Sequence, residues 1–161
     1  MARTADSKRE RMLEVLKQFR ILLRSIKRHY QWVQQKCGVS GAQLWALSEI
    51  AASPGLRVSD LAQTLAIHRS TASNMLHRLE SLRLVVRRRV GKDQRVVQLH
   101  LTPKGKDTLR QAPRPLVGVL QQALLDLPPS SLDSLRRDLG EVIRLMRTKD
   151  TRAKGTPLAD L

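Results

Sequence analysis

Apolar side chains recur every three or four residues from position 8 to position 37, which is the spacing of one long amphipathic helix. The stripe continues for about eight turns at 3.6 residues per turn, and Gly38 follows it as a helix-ending glycine would. A helix of this length finds no partner in its own sequence neighbourhood. The pattern therefore predicts packing against another long helix, either of this chain or of a second copy.

A group of shorter helices follows the long one. Ser40 and Gln43 have the spacing of a capping box, which predicts a helix start. Ser59 is placed to cap a short third helix, and a tight turn at 66–68 leads into a fourth helix over residues 69–82. A short helix, a tight turn and a second helix are the elements of a helix-turn-helix.

Residues 84–101 predict a β-hairpin with an unusual concentration of charge. β-branched and aliphatic residues favour strands on both sides of a turn that Gly91 and Asp93 supply. Like charges this close repel, so the arrangement does not stabilise the fold and indicates a negatively charged partner. The cations of this ribbon are Arg87, Arg88, Arg89, Lys92 and Arg95.

Helical signals return after the hairpin. Thr102 and Pro103 have the residue types of an N-cap and a first helical position. Pro113 and Pro115 interrupt that helix, and Ser130 is placed to cap a last one.

The excess of basic over acidic residues indicates which kind of molecule the protein binds. The 161 residues include 30 Lys+Arg against 14 Asp+Glu, a formal net charge of +16, which suits a polyanion such as nucleic acid or an anionic membrane surface. No apolar run approaches the ~20 residues of a membrane span, and no hydrophobic signal segment is recognisable at the N-terminus. The single cysteine fits a reducing compartment. We therefore expect a cytoplasmic protein that binds nucleic acid and no membrane.

The polar face of the predicted fourth helix carries side chains suited to DNA. Small hydroxyls permit close approach to phosphates and base edges, and Asn74 can pair bidentately with adenine. A surface helix that is merely solvated would show a similar face, but the basic hairpin directly downstream favours the DNA interpretation. The candidate DNA-binding residues on this helix are Arg69, Ser70, Thr71, Ser73, Asn74, His77 and Arg78.

This region resembles the winged helix-turn-helix of the MarR family of bacterial transcriptional regulators. The resemblance covers roughly residues 40–110, and the flanking helices agree with the dimerisation helices of that family. Its most specific pieces are RSTAS at 69–73, Leu79-Glu80, Asp93-Gln94-Arg95 at the hairpin tip, and Leu101-Thr102-Pro103-Lys104-Gly105.

The resemblance assigns roles to the hairpin, which becomes the wing. It implies that Arg95 enters a minor groove while Asp93 holds its guanidinium, in keeping with the attraction of arginine to a narrow minor groove. Some of the three consecutive arginines must point back toward the protein, and strand alternation alone does not say which. The candidate DNA-binding residues of the wing are Arg88, Arg89, Lys92, Gln94 and Arg95.

The sequence departs from the family pattern at four positions. Ala66 and His68 stand where glycine and a capping serine are common, which predicts a less ideal turn. Arg83 replaces the usual glycine before the wing and predicts strain if its φ is positive. Gln94 replaces a common second arginine, which weakens the electrostatic contribution of the wing.

Pattern and resemblance together predict a mainly α fold with a small β-hairpin wing, an α+β arrangement of about six helices. We expect a winged helix-turn-helix DNA-binding domain over residues 38–112 and a helical dimerisation region over residues 1–37 and 113–147. Residues 148–161 lack periodicity and are predicted to form a mobile tail.

The expected function is that of a homodimeric transcriptional regulator on a pseudo-palindromic double-stranded operator. Repression is the output that the resemblance implies. The alternatives are a constitutive, weakly specific architectural DNA-binding protein and an RNA-binding protein or enzyme on the same fold. The hairpin lacks stacking aromatics, and no catalytic motif is recognisable, so we predict no enzyme and no cofactor. The candidate dimerisation residues are Leu16, Phe19, Leu22, Leu23, Leu139, Val142 and Ile143.

Three further residues allow two interpretations each. Trp32 and Trp45 are either core residues or the lining of a pocket for a small aromatic effector, which the resemblance suggests. Cys37 is either an oxidant sensor, as in some members of the family, or an inert thiol on the apolar stripe. The four histidines lack the spacing of a zinc site, so no metal is predicted.

Overall fold

The computed structural model describes residues 2–89 and 97–158 and has the mainly helical fold with a small sheet that the sequence predicts. Seven α-helices lie in these ranges rather than six, because Pro113 and Pro115 separate two helices. The elements are α1 Ala2–Cys37, α2 Gly41–Ala52, β1 Leu56–Arg57, α3 Val58–Thr64, α4 Arg69–Ser81, β2 Val85–Arg89, β3 Val97–Leu101, α5 Pro103–Gln111, α6 Val119–Leu125, α7 Pro129–Leu145 and a 3-10 helix Thr151–Gly155.

The sheet has three antiparallel strands in the order β1-β3-β2. β2 and β3 are the arms of the predicted hairpin, with Val85 opposite Leu101 and Arg89 opposite Val97. β1 was not predicted, because two residues are too few to show the alternation of a strand. It pairs Leu56 with Leu99 and ties the hairpin to the helices.

Two of the four predicted helix caps are confirmed. Ser40 Oγ accepts from the Gln43 N–H at 3.2 Å while Gln43 Oε1 accepts from the Ser40 N–H at 2.9 Å. Thr102 Oγ1 accepts from the N–H of Gly105 at 3.0 Å. The caps at Ser59 and Ser130 are wrong, because α3 begins at Val58 directly after β1 and α7 begins at Pro129. Both serines therefore lie inside the first turn of their helix.

The hydrophobic core lies between α2, α3, α4, α5 and the sheet. The C-terminal part of α1 joins it through Val33, which is fully buried. The core holds α4 by one face and thereby fixes the direction of its other faces. The largest fully buried side chains of this core are Val33, Val39, Leu44, Leu47, Ile50, Leu61, Leu76, Leu79, Val85 and Leu99.

The C-terminal segment forms a 3-10 helix, where the sequence predicts a mobile tail. Asp150 caps this helix by accepting from the N–H of Arg152 at 3.0 Å. Gly155 and Pro157 are buried, and the Gly155 carbonyl accepts from the His68 N–H at 3.4 Å. A single 3-10 turn is too short to produce an apolar period, so the sequence pattern did not show it.

None of the helices within the described ranges is both long enough and apolar enough to cross a membrane.

Candidate nucleic-acid interface

The polar face of α4 points away from the core. Ala72, Met75, Leu76 and Leu79 bury the opposite face. Arg69, Ser70, Asn74, His77 and Arg78 are exposed, and Thr71 and Ser73 are half-buried. All seven candidate residues therefore reach the surface of one helix whose position the core fixes.

A cleft runs between α4 and the neighbouring helix ends. Thr71, Asn74 and Arg78 line one side of this space of about 430 Å³, while Gln34 of α1 and Gln43 of α2 line the other. The C-terminal part of α1 is therefore close to α4. Polar side chains on both sides give the cleft a hydrogen-bonding lining.

The turn before α4 leaves the helix N-terminus without a side-chain cap among the described residues. Ala66 has a φ of 53°, in the left-handed region, at a position where the resemblance to the family predicts glycine. His68 occupies the N-cap position without a side-chain hydrogen bond to α4, and the first turn contains no acidic residue. The first amides of α4 can therefore donate to an external anion such as a phosphate.

The junction between α4 and the wing is a Schellman motif built on an arginine. The N–H of Arg83 donates to the Glu80 carbonyl at 2.8 Å, and the N–H of Leu84 donates to the Leu79 carbonyl at 2.9 Å. Arg83 has a φ of 59°, so the strain predicted for this position is present. The motif fixes the angle at which the chain leaves α4.

The segment Leu101–Gly105 holds this junction from the other side. Thr102 Oγ1 donates to the Arg83 carbonyl at 2.7 Å, and Lys104 Nζ donates to the Leu82 carbonyl at 3.0 Å. Gly105 lies so close to Leu84 that a Cβ there would overlap the Leu84 carbonyl oxygen. These contacts explain why threonine, lysine and glycine occur at this spacing.

The three arginines of β2 point in different directions. Arg87 turns back toward α4, with its side chain 27% exposed and its Nε 3.2 Å from Glu80 Oε2. Arg88 and Arg89 are exposed. The ion pair connects β2 to α4, and the next two cations remain exposed to solvent.

The four candidate residues of the wing tip are Lys92, Asp93, Gln94 and Arg95. They lie outside the described residues, so their roles stay predictions from the sequence.

The two tryptophans do not come together in a pocket. Trp32 is exposed, and Trp45 is half-buried with its Nε1 donating to Glu49 Oε1 at 2.8 Å. A cleft of about 840 Å³ lies between α1 and the start of α2, and neither tryptophan lines it. Its aromatic residue is Tyr30, which the sequence reasoning missed because it is one more apolar-stripe position of α1. Other residues of this cleft are Leu23, Ile26, Gln34, Ser40 and Leu158.

Cys37 and His29, both on α1, have shifted pKa values. Burial raises the pKa of the Cys37 thiol, which favours the neutral and less reactive form, although Lys36 acts in the opposite direction. Burial also lowers the pKa of His29, which a hydrogen bond with the Pro115 backbone partly offsets. Neither group belongs to the exposed face of α4.

Known proteins with similar sequences include regulators that contain a helix-turn-helix. Residues 38–96 match the model of the MarR family. Over 71 residues the chain is 37% identical to the HTH-type transcriptional repressor MdtR of Bacillus subtilis. The match covers 44% of this chain and 46% of MdtR, so the chain spans about half the length of that relative.

Solved structures share the fold over most of the chain. The multiple antibiotic-resistance repressor MarR of Listeria monocytogenes is 25% identical, with a TM-score of 0.51 over 86% of this chain and 96% of that one. The MepR–DNA complex of S. aureus is 21% identical, with a TM-score of 0.56 over 78% and 91% of the two chains. At such identities the structural likeness shows the fold alone. Together, the family match over residues 38–96 and the solved structures show that this segment is similar to the MarR family and that the chain shares the fold of regulators of that family.

Proposed function

We propose that the protein is a homodimeric, sequence-specific repressor that binds double-stranded DNA. The observation that carries this proposal is the exposed polar face of α4, held at a fixed angle to a basic hairpin by the Schellman motif and the Thr102 contacts. A rigid helix with hydroxyl, amide and guanidinium groups suits a major groove, while a basic hairpin beside it suits the flanking backbone. The similarity to MdtR, described as a transcriptional repressor, supports the regulatory output.

The proposed dimer rests on apolar surface that one copy leaves exposed. Leu16, Leu22 and Leu23 of α1 are 40%, 44% and 65% exposed, and α7 exposes Val142 and Ile143 by 47% and 51%. Soluble monomers rarely expose contiguous apolar patches of this kind. We assign these faces to the dimer interface together with Leu139 of α7 and the half-buried Phe19 of α1.

The proposed domain division follows from where apolar side chains are buried and where they are exposed. We propose residues 38–112 as the DNA-binding domain and residues 1–37 with 113–147 as the dimerisation region. Val33 and the half-buried Cys37 of α1 pack with the core of the DNA-binding domain. Movement of α1 would therefore be transmitted to α4 through this shared core, which suits control of the spacing between the two recognition helices of a dimer.

The cleft beside Tyr30 is our candidate effector site in place of the tryptophans. It combines the apolar side chains of Leu23 and Ile26 with Lys27 and the hydroxyl of Ser40. Such a lining fits a small aromatic acid, whose ring would contact the apolar residues while its carboxylate faces the lysine. An effector here would alter DNA binding only by favouring one recognition-helix spacing over another.

A constitutive architectural role is the second candidate, and the net charge of +16 favours it. Selection of bound duplexes from a random pool, followed by titration of the selected and a scrambled duplex at equal salt, separates the two functions. We expect a pseudo-palindrome with half-sites ~34–36 Å apart and a specificity ratio of ~10³ or more. A ratio near one, or no enriched sequence, would contradict the proposed operator reading.

A further inference from the structure

The basic C-terminal segment, residues 147–155, is docked against the turn that precedes the recognition helix. The Gly155 carbonyl accepts from the His68 N–H at 3.4 Å, and Gly155 is buried. The His68 ring lies where a Cβ at Gly155 would stand, so the ring packs directly against the Gly155 backbone. The segment is therefore fitted to one place on the DNA-binding domain.

The docked segment carries an excess of positive charge. Arg147, Lys149, Arg152 and Lys154 stand against a single acid, Asp150. These cations are exposed, and Lys154 forms no ion pair among the described residues. Arg152 pairs with Asp150, its Nε lying 2.9 Å from Oδ1, and its side chain remains 90% exposed. The charge is therefore available to an external partner.

The anchor position places this charge beside the proposed groove-reading surface. His68 is the N-cap of α4, and the first residues of a recognition helix are those that approach base edges. At about 2.0 Å of rise per residue in a 3-10 helix, Arg152 and Lys154 lie within about 6 Å of Gly155 along its axis. An element at the N-terminus of a helix in the major groove lies at the edge of that groove, where the phosphates are.

We propose that residues 147–155 form a DNA-backbone contact arm, with Arg152 and Lys154 as its phosphate-binding residues. This inference rests on the proposed function, because it assumes that α4 enters a major groove. The arm contacts phosphates and adds affinity that is independent of base sequence. Docking through Gly155 directs these cations to the phosphates next to α4.

The test is the salt dependence of binding to a fluorescein-labelled duplex of scrambled sequence, followed by anisotropy. The variant R152Q/K154Q should bind more weakly, and the slope of log K against log salt should fall by about 0.9 for each phosphate that the variant no longer neutralises. The control K8Q/R9Q removes the same charge from the N-terminal part of α1, far from α4. Gln34 is the α1 residue that lines the cleft beside α4, and Lys8 lies roughly 39 Å from it along the helix at 1.5 Å per residue. The control should keep the slope of the unmodified protein.

A second variant tests docking separately from charge. Gly155→Val keeps every cation but places a branched side chain where the His68 ring lies. The segment should then dock less closely, so affinity for the same duplex should fall with the melting temperature unchanged. An unchanged slope in R152Q/K154Q, or a rise in affinity in Gly155→Val, would overturn the arm, the latter because it would show a segment that shields the DNA-binding surface. If the unmodified protein fails to bind duplex at all, the proposed function fails as well.

Discussion

Single residues with left-handed backbone conformation flank α4, the proposed recognition helix. Ala66, with a φ of 53°, precedes α4, and Arg83, with a φ of 59°, follows it. A residue with a Cβ costs about 1–2 kcal/mol in this conformation. Glycine would relieve the strain at both positions. At Arg83 the strained residue also adds a positive charge at the base of the wing.

Arg83→Gly should stabilise the protein. Removing the Cβ relieves the left-handed strain, and the greater chain entropy of the unfolded glycine variant offsets part of the gain. We expect the free energy of unfolding in urea to rise by about 1 kcal/mol. The control Arg88→Gly removes an equal charge from an extended β2 residue and should lower it by about 0.5–1 kcal/mol. A less stable Arg83→Gly variant would be inconsistent with backbone strain at this position.

At the scale of elements, the α4–wing junction depends on contacts between segments distant in sequence. Thr102 both caps α5, by accepting from the Gly105 N–H, and donates to the carbonyl of Arg83. The Glu80–Arg87 ion pair connects α4 with β2 at a second point. The C-terminal end of α4 and strand β2 are therefore held together at two points.

Thr102→Val should loosen that junction. The variant keeps the shape of the side chain but removes the cap and the donor to Arg83, so we expect a decrease of about 1–2 kcal/mol in unfolding free energy. DNA affinity should fall as the wing angle becomes less defined. Thr108→Val is the matched control, because its hydroxyl donates only to the Lys104 carbonyl within α5. Equal effects of the two substitutions would rule out a special role for Thr102.

Local spacing in the sequence predicted most elements, and interactions between residues distant in sequence account for what it missed. The capping box at Ser40 and the Thr102-Pro103 start are readable because both partners lie within a few residues. The direction of Arg87 depends on Glu80 across an element boundary, and the docking of Gly155 depends on His68. The candidate site was therefore predicted as a set of residues on α4 and the wing, while the contacts of the junction and the docking of the C-terminal segment required the structure.

At the scale of the whole molecule, the apolar faces of α1 and α7 remain without a partner among the described residues of one copy. A second copy would cover both faces and set the distance between the two recognition helices. The C-terminal part of α1 packs into the DNA-binding core at Val33. In the proposed dimer, α1 would therefore link the subunit interface to the position of α4.

Leu22→Glu should convert the dimer to monomers, because it places a charge in the apolar interface. Sedimentation velocity should show half the mass, while circular dichroism keeps the helical signal if the DNA-binding domain remains folded. Arg24→Gln changes the net charge equally on another side of α1 and should leave the dimer intact. A dimer of normal mass and stability in Leu22→Glu would exclude this face from the interface.

The most direct test of DNA reading by α4 is the specificity ratio of Asn74→Ala, measured by anisotropy on the selected and scrambled duplexes at one salt concentration. Alanine cannot pair bidentately with a base, so the affinity for the selected duplex should fall by about 5- to 150-fold, corresponding to ~1–3 kcal/mol. Affinity for the scrambled duplex should stay unchanged, because phosphate contacts supply it. If both affinities remain as in the unmodified protein, Asn74 does not read a base; if that holds for every exposed α4 residue, the recognition helix lies elsewhere.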